Sequence, residues 1–184
     1  MEKELVSIIE ACKQNNRKAQ NSLYGWYYND LMVIARKYKN NTEDACELVN
    51  QAFFKILTNI DKYEFSTPFE GWIKRITINV IIDEYRKTKK IKEIQVGNDE
   101  DIIFDDTTAN LVEQEMDAEE INQLLARLDE NERLVFNLYA VDGYAHKEIS
   151  KLIGISERSS KRYLANAKKN LKQMLTHLFN ATIV

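Results

Sequence analysis

Proline occurs once and glycine five times in 184 residues, too few of the breaks that a hairpin-rich β fold requires. Only two cysteines and two histidines are present. Cys12 and Cys46 stand far apart with no CxxC spacing, and they read as small core residues, not a disulfide or a zinc site. His146 and His177 have no Cys or carboxylate partners at metal-ligand spacing. No unbroken apolar run approaches the length needed to cross a bilayer. The start, Met1-Glu2-Lys3-Glu4, lacks the basic residues and apolar stretch of a signal peptide. A nucleophile–base pair and a phosphate loop are missing as well, which argues against an enzyme. A cytoplasmic protein without metal, cofactor or membrane insertion is expected.

What is present is charge, unevenly spread. The residues are 44% hydrophobic and 30% charged, a globular balance, and the formal net charge is −3. Residues 1–90 carry 15 basic and 12 acidic side chains, a net of +3. Residues 91–130 carry 2 and 13, a net of −11, and residues 131–184 carry 9 and 4, a net of +5. Two mildly basic halves therefore flank an acidic middle, and the acidic pI does not exclude nucleic acid.

The apolar period is 3.6 almost throughout. Helices are expected at 4–14, at 17–38, from Thr42 as N-cap to Asn59, and at 69–87 after Pro68. The third has a clean stripe of Ala45, Leu48, Val49, Ala52, Phe53, Ile56, Leu57 and Ile60, and the fourth buries Phe69, Trp72, Ile73, Ile76 and Val80. From Thr88 the period fades, and 91–110 reads as an acidic linker. Further helices are expected at 111–127, 130–141, 145–153 and 156–178. The expected architecture is all-α, with two small helical domains, 1–90 and 111–184, joined by that linker.

Residues 146–164 have the grammar of a helix-turn-helix. Ile149, Leu152 and Ile153 face inward, Gly154 sits where the turn needs positive φ, Ile155 plugs the gap and Ser156 caps the second helix. Between Lys147 and Lys172 lie eight basic and two acidic residues, an electrostatic footprint for phosphates. Its plain alternative is a helical hairpin with a solvated basic face. In the amino-terminal half, Asp44, Glu47, Gln51 and Phe54 form a second face on the third helix, with a large aromatic beside carboxylates. Arg75, Asn79, Asp83 and Arg86 form a polar face on the fourth, which ends in a basic cluster.

The segment Asp44-Ala-Cys-Glu-Leu-Val-Asn-Gln-Ala-Phe53, followed by Gly71-Trp72-Ile73 and Asn79-Val-Ile-Ile-Asp83-Glu-Tyr-Arg86, resembles the second conserved region of bacterial sigma-70 family factors. Leu128-Asp129 through Leu171 resembles their fourth region. With no further domain between them, the chain resembles the compact extracytoplasmic-function (ECF) group. The resemblance implies a dissociable specificity subunit that directs core RNA polymerase to promoters, with an anti-sigma factor as a further partner. It implies that Asp44, Glu47, Leu48, Gln51 and Phe54 meet the coiled coil of the largest core subunit, and that the fourth region meets the flap. It implies that Lys62, Tyr63, Trp72, Arg75, Asn79, Asp83, Arg86 and Lys87 bind the −10 element and hold a flipped base. It implies that Arg158, Ser159, Lys161, Arg162, Ala165, Asn166 and Lys169 read the −35 element in the major groove. Tyr163 and Asn166 replace commonly basic residues, and Ser160 replaces a usual buried aliphatic, so a looser helix-turn-helix core is expected. The carboxylates Asp99, Glu100, Asp101, Asp105 and Asp106 would lie in the polymerase RNA path. The competing reading is a helix-turn-helix regulator with an amino-terminal sensing or dimerisation domain.

Overall fold

The computed structural model describes residues 2–93 and 118–182, with no strand among them. The chain divides into two compact units between Glu84 and Tyr85, inside one helix.

The first unit holds α1 (Glu2–Lys13), α2 (Arg17–Tyr38), α3 (Thr42–Thr58), a 3₁₀ turn (Ile60–Lys62) and the start of α4 (Phe69–Glu93). Asn16 starts α2: its side-chain oxygen accepts from the N–H of Lys18 at 3.0 Å and Ala19 at 3.2 Å. The cap of α3 is Asn41, not Thr42. Both are good capping residues, but Asn41 Oδ1 accepts from the Asp44 N–H at 2.7 Å, and Thr42 falls inside the helix. Leu23, Tyr27, Leu31 and Ala35 of α2 and Ala45, Leu48, Val49, Ala52, Phe53 and Ile56 of α3 are buried at helical spacing. The stripe on α3 thus becomes a core face, and α2 and α3 pack together.

Helix α4 begins directly after Pro68, whose carbonyl accepts from the Trp72 N–H. It continues to Glu93, past the expected end near Lys87. Lysine and arginine are good helix formers, and no Gly or Pro interrupts Arg86–Glu93, so fading amphipathicity does not end the helix. The expected linker therefore gives up residues 91–93. The rest of it, with the five carboxylates, and residues 111–117 of the expected fifth helix lie outside the described residues. Along α4, Phe69, Ile73 and Val80 are buried as expected, whereas Trp72 and Ile76 are only half-buried.

The second unit contains α5 (Ala118–Ala126), α6 (Glu130–Phe136), a π turn (Asn137–Val141), α7 (His146–Ile153) and α8 (Glu157–Thr182). Asp129 caps α6 by accepting from the Asn131 N–H at 2.9 Å. The π turn breaks what the sequence reads as one helix over 130–141. Leu124, Leu125 and Leu128 close on Ala167 and Leu171 of α8, with Phe136, Met174 and Leu175 at the margin. Gly154 adopts φ 68° and ψ 43°, the left-handed conformation that glycine enters at least cost, and its N–H closes α7 on the Ser150 carbonyl.

Candidate functional site

Three surfaces carry the residues singled out above. The first is a cleft of about 310 Å³ in the first unit, lined by Lys55, Asn59, Lys62, Trp72, Ile76, Asn79, Val80 and Asp83. That is at the small end of ligand pockets, which run from about 300 to 1,000 Å³, and suits one planar group. Helical spacing explains its wall: 72, 76, 79, 80 and 83 lie on one side of α4 at three- and four-residue steps. Trp72, Ile76 and Val80 are its apolar lining, Lys55 and Lys62 add two cations, and Asn79 and Asp83 stand one turn apart on α4.

The polar groups are not equivalent. Asn59 donates from Nδ2 to the Lys55 carbonyl at 2.8 Å, and its Oδ1 accepts from Lys62 Nζ at 2.9 Å, so it finishes α3 and orients Lys62. The Asn79 side chain is exposed. An amide with donor and acceptor beside a carboxylate matches the Watson–Crick edge of a base, whose exocyclic amine can donate to the carboxylate.

Of the expected −10 residues, Lys62, Trp72, Asn79 and Asp83 meet in this cleft. Tyr63 does not offer an open face. It is 5% exposed, donates its hydroxyl to the Thr67 carbonyl at 2.6 Å, and packs on Phe69 and Trp72 at 5.0 and 5.2 Å between ring centroids. Burial, and secondarily the Glu70 carboxylate, raises its phenol pKa. Tyr63 thus supports the Trp72 wall. Arg75 is exposed outside the cleft lining, and Arg86 and Lys87 follow, exposed, on the same helix. Lys55 and Asn59 also line the cleft, and positions 55, 59 and 62 have the same four-and-three spacing as the polar face of α4.

The second surface is the outer face of α3. Asp44, Glu47, Gln51 and Phe54 are all exposed, Phe54 to 66%. Gln51 Nε2 donates to Glu47 Oε1 at 3.2 Å, and Asn41 Nδ2 donates to Asp44 Oδ2 at 3.0 Å. Leu48 is not part of this face. It is 1% exposed, because its position belongs to the apolar stripe that packs inward, and it is corrected here to a core residue.

The third is the helix-turn-helix. Ile149 and Ile153 are buried, while Leu152 and Ile155 are half-buried. Ser156 Oγ accepts from the Ser159 N–H at 2.9 Å, and the two hydroxyls lie 2.8 Å apart, so Ser159 takes part in the cap. Arg158, Lys161 and Lys169 are exposed, and Arg162, Ala165 and Asn166 are half-buried beside them. The Arg162 guanidinium lies 5.2 Å from the centre of the Tyr163 ring.

Ser160 is fully buried, and its hydroxyl is 2.9 Å from His146 Nδ1. Tyr139 stacks on the imidazole at 4.4 Å and 18°. The serine therefore leaves no unpaired hydroxyl in the core, and it ties the first residue of α7 to the first turns of α8. Burial first, and then Lys161, depresses the His146 pKa below 6.5, with Lys168 acting the same way and Glu157 against. Such a group contributes stability above the unfolded value that is lost as pH falls through the depressed one. Thermal melts of the full chain are expected to lose stability below about 6.5 more steeply than those of His146→Gln. Parallel curves would remove His146 as the cause.

Among the described residues, no group of three His, Cys, Asp or Glu side chains could hold a metal. The sequence matches a family model described as ECF sigma factor over residues 2–177. It is 29% identical to RNA polymerase sigma factor SigZ of Bacillus subtilis strain 168, covering 83% of this chain and 85% of that one. It is 26% identical to ECF RNA polymerase sigma factor SigX of the same strain, covering 85% and 81%. Similar solved structures include the sigma factor RpoE in complex with the anti-sigma factor NepR from Bartonella quintana. That chain gives a TM-score of 0.49, 17% identity, and coverage of 85% of this chain and 96% of its own.

Proposed function

The chain belongs to the ECF sigma factor family, and we propose that it divides promoter recognition and polymerase docking among the three surfaces described. It is an RNA polymerase sigma factor; the assignment of residues to tasks is our reading. The observation that carries it is the cleft, where Lys62, Trp72, Asn79 and Asp83 meet over an apolar floor.

A base turned out of the duplex loses its stacking partners and needs a flat apolar wall and polar groups for its edge. Trp72, Ile76 and Val80 supply the wall; Asn79 and Asp83 supply the edge contacts. Lys55 and Lys62 neutralise neighbouring phosphates. Holding the extruded base stabilises the open strand, so binding energy becomes melting energy. The exposed face of Asp44, Glu47, Gln51 and Phe54 docks on core RNA polymerase, at the coiled coil of its largest subunit, and the second unit meets the flap. Recognition helix α8 reads the −35 element. An anti-sigma factor holds the protein inactive by covering these faces. The chain works by binding, without a catalytic residue, in the cytoplasm where polymerase acts. Among the described residues no helix is long and apolar enough to cross a membrane.

Purified chain added to bacterial core RNA polymerase is expected to give new run-off transcripts from fragments of its own genome. No new transcript on any fragment overturns the reading. Lys161→Ala with Arg162→Ala is expected to spare core association and reduce discrimination at −35. Each lost base contact costs about 1–3 kcal/mol, and each lost phosphate contact lowers the salt slope by about 1. Loss of core association in this variant would show that the division of tasks is wrong.

A further inference from the structure

Helix α7 packs against α8, and Ile149 and Ile153 of the one and Leu164 of the other are buried. Apolar burial is non-directional, whereas a hydrogen bond demands a short distance and a near-linear angle. Ser160, fully buried one turn before Leu164, brings such a bond to the junction, its hydroxyl 2.9 Å from His146 Nδ1. The imidazole is held in turn, because Tyr139 of the π turn stacks on it at 4.4 Å and 18°. The backbone is fixed at the same point: the Ala145 N–H donates to Glu148 Oε2 at 2.8 Å, and the Ile149 N–H to the Ala145 carbonyl at 2.9 Å. The π turn, α7 and α8 thus meet at one polar pair. On α8 its neighbours in sequence are Arg158, Ser159, Lys161 and Arg162, the turn expected to face the −35 element.

We infer that Ser160 and His146 are positioning residues for promoter recognition, their hydrogen bond setting the angle of α8 and so the aim of Arg158, Lys161 and Arg162 at base edges. This rests on α8 being the helix that reads the −35 element. Base-edge contacts tolerate little displacement, whereas long basic side chains can follow a phosphate through a small helix shift. Loss of the pair therefore costs discrimination between sequences more than attraction to DNA in general. The pair is also sensitive to pH. In the neutral ring Nδ1 can accept the Ser160 proton; in the charged ring both nitrogens carry protons, and that hydroxyl proton must turn elsewhere. Burial and then Lys161 and Lys168 of α8 favour the neutral ring, while Glu157 of α8 opposes them. Lys147 and Glu148 flank the ring on α7 itself, and Tyr139 covers it from the π turn. Discrimination is thus complete with the ring neutral and falls once pH passes below the depressed value, which lies under 6.5.

The test uses holoenzyme on a promoter fragment recovered by run-off mapping. It reads the ratio of affinities for the intact fragment and for one with a scrambled −35 element. Ser160→Ala is expected to lower that ratio about tenfold, with the salt slope unchanged. His146→Leu with Ser160→Val replaces the polar pair by an apolar one. It is expected to melt near the parent temperature, yet to discriminate about tenfold less. Between about pH 8 and about pH 5.5 the parent's ratio is expected to fall more steeply than that of the apolar pair, which has no titrating group at this junction. If the apolar pair discriminates like the parent, the hydrogen bond only fills space and the inference is overturned. If both lose discrimination in parallel as pH falls, His146 is not the sensor. Lys161→Ala with Arg162→Ala is the reference. If it lowers the ratio and the apolar pair does not, α8 reads the −35 element without this device. If neither lowers it, the −35 reading falls as well.

Discussion

Replacing Asn79 and Asp83 together by Ala is expected to lower run-off transcription from a cognate promoter by on the order of 100-fold, with core association unchanged. Both residues are exposed on α4, so the substitutions remove no core packing, and alanine suits a helix. What disappears is the polar edge of the cleft, leaving Trp72, Ile76 and Val80 to hold a base by shape alone. Edge contacts are worth about 1–3 kcal/mol each, and about 3 kcal/mol in total corresponds to roughly 100-fold. The two positions are one turn apart and share a ligand, so their effects are expected to be non-additive. A double-mutant cycle in the run-off assay measures that coupling. Asp83→Glu distinguishes a direct edge contact from simple charge: it keeps the charge and moves the acceptor, so a loss with Glu points to the contact and full activity points to charge alone. An unaltered transcript yield from the double variant would mean that the cleft holds no base.

The helical character of the chain, the helix-turn-helix and the inward stripe of α3 were legible because each rests on local spacing. Gly154 is the clearest case, since the turn demands a left-handed residue and the sequence places glycine there. Sequence and structure differ where two local rules compete. Asn41 and Thr42 are both capping residues, and only the reach of Asn41 to the Asp44 amide separates them. The fading apolar stripe points to an end of α4 near Lys87, although propensity alone continues the helix to Glu93. The contribution of Lys55 and Asn59 depends on α3 ending beside α4, a tertiary fact that no window of sequence contains. The same holds for Ser160. By sequence its hydroxyl reads as a defect in an apolar site, and its partner His146 stands fourteen positions earlier, across the turn.

Leu48 and Phe54 form the sharpest pair on α3, because one helix presents them to opposite environments. Leu48→Ala is expected to destabilise the first unit by about 2–5 kcal/mol, the usual range for emptying a packed leucine site. The residue is 1% exposed, so the vacated volume opens within the core. Phe54→Ala removes a larger side chain, yet it is expected to leave the melting temperature close to that of the parent, because 66% of the residue already faces solvent. The aromatic gains its value only when a partner covers it, and a desolvated aromatic at an interface commonly contributes about 2 kcal/mol or more. Core RNA polymerase affinity is therefore expected to fall by about 30-fold or more. Glu47→Ala beside it is expected to weaken association further, with a stronger effect at low salt. Thermal melts and polymerase titrations on the three variants give a two-column pattern: stability lost at Leu48, affinity lost at Phe54 and Glu47. If Phe54→Ala lowers stability as Leu48→Ala does, the aromatic belongs to the fold. If it lowers neither, core polymerase docks elsewhere, and the carboxylates of α3 become an ordinary solvated face.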